Sequence, residues 1–149
     1  MDNDIAVVKL ATPLKFSKNV QPICLPSLFE EDATSKKENA VIAGWGIREF
    51  PGVLPDVLLE GTEAFKDFKE CQSQSDVPLV KKMQLCTQGT STFTLEGDSG
   101  GPLFVKSGLV DEQGRPRWIE VGVTNVFARV SSYCGFIENA TEGKVKCLS

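Results

Sequence analysis

One run of six residues, Gly97-Asp98-Ser99-Gly100-Gly101-Pro102, could do chemistry. It places a serine hydroxyl in a tight turn with glycine on both sides. Glycines carry no Cβ, so backbone N–H groups in such a turn can approach a substrate oxygen closely. Asp98, directly before the serine, is a candidate buried charge. A plain surface turn of Gly and Ser is the alternative; short turns of that kind are common, but this string is not. Serine is a weak nucleophile at its free pKa and needs a neighbouring base. The chain has no histidine, and no lysine adjoins the turn. A second carboxylate, Asp4, sits beside Asp2 and Asn3, and from its neighbours alone it reads as a cap or a surface group.

Bulk properties narrow the classes. A chain of 149 residues with 41% hydrophobic content can bury one ordinary core, or be a piece of a larger protein. The net charge is −4 with no basic cluster, which argues against a nucleic-acid partner. No apolar run reaches the length of a membrane span, so no membrane partner is expected. Met1-Asp2-Asn3-Asp4 is acidic and polar, unlike a signal peptide. Five cysteines nevertheless suggest an oxidising compartment. The expectation that joins these facts is a fragment of a secreted protein; the rival is an intracellular β-domain with reduced thiols.

The elements that must position the serine are short. Residues 5–10 form an apolar β-branched run and read as a buried strand. Residues 12–29 hold three prolines and read as an extended connector, and 30–39 as a charged surface loop. Strands are predicted over 40–43, 57–65, 83–86, 102–106, 118–123 and 125–130. Phe65, Phe68 and Cys71 recur at a three-residue spacing that suits a short helix. Residues 111–117 read as a charged hairpin loop. Ser131 is the predicted cap of a terminal helix running to 139. Short strands with Gly and Pro turns between them make the fold all-β, a barrel or sandwich.

The six-residue string resembles the nucleophile loop of trypsin/chymotrypsin-like serine proteases, and four other segments resemble the family in the same order. Asp2-Asn3-Asp4-Ile5-Ala6 is similar to the segment carrying the catalytic aspartate. Pro22-Ile23-Cys24-Leu25-Pro26, Ala43-Gly44-Trp45-Gly46 and Val126-Phe127-Ala128-Arg129-Val130 with Tyr133 follow it. The likeness runs from residue 2 to about 139. It implies the chymotrypsin-like double β-barrel, here mostly the second barrel plus a C-terminal helix. Residues 1–26 would end the first barrel and cross over, 27–130 would form the second barrel, and 131–149 the terminal helix and tail.

The same resemblance implies the site. Ser99 would be the nucleophile, the N–H groups of Gly97 and Ser99 the oxyanion hole, and Asp4 the group that orients the base. Asp98 would pair with the α-amine made by activation cleavage. The pocket base falls on Phe93, where trypsin-like relatives carry Asp, so cleavage after Lys or Arg is not supported. Family members also carry a pocket-wall segment that is missing between Val123 and Thr124, which is expected to leave strand edges unpaired. The resemblance pairs Cys71 with Cys86; Cys134 and Cys147 could close a local loop. Sequence alone leaves the connectivity open. Cys24 is left over, and its usual partner would lie in a missing N-terminal half. Two positions cysteine-bonded in many relatives are Ala40 and Val105 here. No cofactor and no metal is implied. The expected function is peptide-bond hydrolysis through an acyl-enzyme, by a secreted parent acting on protein or peptide substrates. Without a histidine this chain alone is expected to be inactive. The alternative is a non-catalytic homologue that binds or regulates. Asn139-Ala140-Thr141 fits the N-glycan acceptor pattern, so Asn139 is a modification candidate.

Overall fold

The computed structural model describes residues 3–27, 39–89, 94–110, 114–123 and 126–148. Among these residues seven strands form one antiparallel sheet: β1 (Asn39–Gly44), β2 (Leu59–Phe65), β3 (Gln84–Leu85), β4 (Thr87–Gly89), β5 (Pro102–Val110), β6 (Pro116–Val123) and β7 (Phe127–Arg129). Their order is β3-β7-β6-β5-β1-β2-β4. The outermost strands, β3 and β4, are separated in the chain by Cys86 alone. The two ends of the sheet therefore meet, and it curls into a nearly closed barrel, which leaves few open edges.

Period-2 alternation builds the core. In β1, Ala40 and Ile42 point inward and are buried. Leu103 and Val105 of β5 and Ile119 and Val121 of β6 do the same, joined by Leu85 and Phe127. Ala40 and Val105 both lie in this aliphatic cluster. Among the described residues Phe127 and Leu103 are the largest fully buried side chains. A second cluster, of Ala128, Val130, Tyr133 and Ile137, gathers Ile5, Leu25 and Met83.

Helix α1 (Phe68–Ser73) starts where Asp67 accepts the N–H groups of Lys69 and Glu70, at 2.8 and 3.4 Å. Cys71 of α1 is bonded to Cys86, which ties the helix to the junction of β3 and β4. Helix α2 (Cys134–Ala140) carries Cys134, which is bonded to Cys147 in the tail. Cys24 is half-buried against the core, with a free thiol. Its N–H donates to Trp118 O at 3.1 Å, and its carbonyl accepts from Glu120 N at 3.0 Å. The connector is therefore pinned along β6.

Three expectations are corrected. Residues 5–10 are extended but form no strand, and Val8 and Leu10 are 79% and 55% exposed. Their composition favours a strand, but among the described residues no neighbouring strand takes up their backbone groups. Ser131 is not a cap: a 3-10 turn, Val130–Tyr133, leads directly into α2, and its N-cap, Arg129, makes no side-chain capping bond. The strands flanking residues 124 and 125 are not left unpaired, because Val123 pairs with Ala128 and Gly122 with Arg129. Residues 30–38 of the loop predicted over 30–39, the tip of the 111–117 loop at 111–113, and Phe93 lie outside the described residues, while Asn39 begins β1. No helix among the described residues is long and apolar enough to cross a membrane.

Candidate functional site

The serine turn hangs between two anchors. Asp98 N–H donates to Leu95 O at 3.0 Å, and Gly101 N–H to Asp98 O at 2.8 Å, which closes two successive turns around Ser99. Ile47 N–H reaches Glu96 O at 2.9 Å and ties the turn to the segment after β1. Gly97 and Gly100 have φ of 97° and 84°, a region L side chains rarely adopt. Ser99 is exposed between them. Among the described residues the N–H groups of Gly97 and Ser99 make no hydrogen bond. An exposed hydroxyl beside uncommitted amide donors is the composition an acyl-transfer site needs, because those donors can receive a developing oxyanion.

Asp98 points the other way, toward the end of β1. Its Oδ1 accepts from Gly46 N at 2.8 Å and its Oδ2 from Leu95 N at 3.0 Å. A Cβ on Gly44 would stand 2.1 Å from Oδ1, and one on Gly46 2.3 Å from Cγ. The Gly-Trp-Gly string is therefore the seat of this carboxylate. From the sequence, that string stood only as the end of the strand predicted over 40–43 and as one of the segments of the resemblance, with no link to Asp98. Asp98 makes no ion pair among the described residues. A cavity of about 250 Å³ opens beside it, lined by Gly44, Arg48, Glu60, Thr94, Asp98 and Phe127 among others.

A second carboxylate, which sequence reasoning missed, braces the same segment from within the barrel. Glu63 of β2 is only 4% exposed. It accepts the Thr87 hydroxyl of β4 and the backbone N–H of Thr94. Burial pushes its pKa up, and those two hydrogen bonds partly offset the rise. The neighbouring amides of Thr94 and Leu95 are thus held by two different carboxylates, Glu63 and Asp98. The available signal was the alternation of β2: Gly61, Glu63 and Phe65 share the less exposed face. Glu120 of β6 is half-buried, and its pKa is likewise raised by burial.

Asp4 precedes β1 in the chain. It is exposed, on a segment fixed by its neighbours: Tyr133 Oη donates to Asn3 Oδ1 at 3.4 Å, and Ile5 packs on the second cluster. Among the described residues no hydrogen bond joins Asp4 to Ser99. Asn139 is exposed at the end of α2. No group of three or more His, Cys, Asp or Glu among the described residues is arranged to hold a metal ion.

Comparison with known proteins converges on one family. The trypsin family model matches residues 1–137. A venom serine protease of Polistes dominula is 30% identical over 98% of this chain, which covers 54% of that protein. Transmembrane protease serine 11C of Mus musculus is 29% identical over 94% of this chain and 34% of its own length. The chain thus spans between a third and about half of these relatives.

Proposed function

The chain belongs to the trypsin family of serine proteases, and we propose that it carries the nucleophile half of a secreted serine endopeptidase. The observation that carries the reading is the turn at Ser99, exposed between positive-φ glycines and braced from behind by Asp98. Ser99 Oγ would attack the scissile carbonyl carbon. The carbonyl oxygen, becoming negative, would take the N–H groups of Gly97 and Ser99. The alcohol's proton would pass to a histidine supplied outside this chain, oriented by Asp4. Asp98 would accept the activation amine in the cavity beside it. Two disulfides and the likeness to a venom protease support secretion. The substrates are proteins or peptides. The lack of histidine favours a second reading for this chain taken alone, as a non-catalytic module that binds or regulates.

A fluorophosphonate probe separates the two. A parent protein that supplies a histidine-bearing segment should be labelled at Ser99 and lose labelling in Ser99→Ala. The 149-residue chain alone should stay unlabelled. A histidine-bearing parent that folds but resists the probe would overturn the enzyme reading.

A further inference from the structure

Asn139-Ala140-Thr141 lies inside the loop closed by the Cys134–Cys147 bridge. Asn139 is exposed, and among the described residues its side-chain amide has no partner. Thr141, the other residue the acceptor pattern requires, is engaged. Its hydroxyl donates to Ile137 O at 2.8 Å and accepts Val145 N–H at 3.1 Å. The end of α2 is locked further by Thr141 N–H to Ile137 O at 3.0 Å and Gly143 N–H to Glu138 O at 2.8 Å. The folded protein therefore offers the asparagine to solvent while withholding the threonine hydroxyl.

We propose that Asn139 carries an N-linked glycan, and that the sugar is added before α2 and the Cys134–Cys147 loop close. The donor is a lipid-linked oligosaccharide pyrophosphate, and the transferase is the host's. Asn139 Nδ2 forms the bond to the anomeric carbon as that carbon's bond to the pyrophosphate oxygen breaks. The pyrophosphate leaves with the electron pair, and the amide loses one proton to a base of the transferase. Once closed, the helix end holds Thr141 too tightly for the acceptor to be read. Transfer and closure therefore compete for the same segment. The finished glycan projects from the exposed end of α2, so this face of the terminal helix stays in solvent. The inference rests on the secreted reading above for its biological setting only.

The test expresses the full chain behind a secretion leader in a host that modifies a control acceptor. Occupancy is read by glycosidase release, which converts the carrier asparagine to aspartate and shifts the peptide mass. Wild type should show the shift at Asn139, and Thr141→Ala should lose it. The double variant Cys134→Ser/Cys147→Ser should lower the unmodified fraction, a readout on the peptide that does not require the variant to fold. An unmodified Asn139 in both wild type and the double variant overturns the site. Equal occupancy in the two, whether partial or complete, overturns the competition. Because the leader forces entry to the secretory pathway, neither result bears on the protease reading.

Discussion

Asp98 Oδ1 accepts the Gly46 N–H at 2.8 Å across 52 residues of chain, at a point where a Cβ on Gly46 would stand 2.3 Å from Asp98 Cγ. One hydrogen bond and one missing methyl thus hold the serine turn against the end of β1. Gly46→Ala forces the carboxylate off its amide donor and overfills the seat. The expected cost is about 2–3 kcal/mol, from a lost charge-assisted hydrogen bond and overpacking. Gly135→Ala is the control. A Cβ there meets nothing within 4 Å, and the residue sits in α2. It should be neutral or stabilise by up to about 1 kcal/mol. Urea titrations of both variants check the pair, and a harmless Gly46→Ala would remove the seat from the account.

Glu63 makes stability depend on pH. Its folded pKa is raised above the ordinary glutamate value of 4.5 by burial. Its contribution is therefore fully present below the unfolded value and is lost as pH rises through the folded one. Wild-type stability should fall across that window and then level off. Glu63→Gln keeps an oxygen for the Thr94 N–H and removes the buried charge. It should flatten the slope and be more stable than wild type above the window. A residual slope of the same sign should remain from Glu120, whose pKa is also raised by burial. Denaturant midpoints measured from pH 4 to 8 report this, and unchanged slopes would exonerate Glu63.

Local strings carried much of this protein. The Gly97–Pro102 motif was legible because the positive φ of Gly97 and Gly100 is a local backbone demand. The Gly-Trp-Gly string was legible only through resemblance, since its glycines answer to the distant Asp98 carboxylate. The Cys71–Cys86 pairing was legible only through resemblance, since spacing does not determine connectivity. The seat of Asp98 was not legible, because it joins residues 46 and 98 through the closure of the barrel. Residues 5–10 were misread for a related reason. Val7, Val8 and Leu10 carry strand propensity, but propensity does not supply a neighbouring strand. Glu63 was hidden by habit: a glutamate reads as surface unless the alternation of its own strand is followed.

The Cys71–Cys86 bridge joins α1 to the junction of β3 and β4 across 15 residues. A loop of that size contributes on the order of 3 kcal/mol by restricting the unfolded chain. Cys71→Ser/Cys86→Ser should lower stability by about that amount. Alkylation of the oxidised wild-type protein, followed by peptide mapping, should label Cys24 and none of the other four cysteines. A bond from Cys24 to Cys71 or Cys86 would contradict both the pairing and the packing of Cys24 against the core.

The segment before the barrel exposes large apolar side chains, with Leu14 62% and Phe16 68% accessible. Val8, at 79%, adds to the same stretch of chain. Exposed side chains of this kind contribute little to folding, so Leu14→Ser/Phe16→Ser should change stability by no more than about 0.5 kcal/mol per site. They do contribute to association, since exposed apolar patches are what separate molecules bury against one another. The double variant should therefore scatter less light than wild type at equal concentration, with an unchanged urea midpoint. The two readouts separate the alternatives. A lower midpoint would mean that Leu14 and Phe16 are buried in the protein in solution. Equal scattering with an equal midpoint would move the source of association away from this segment, to the exposed Phe50, Val53 and Val57.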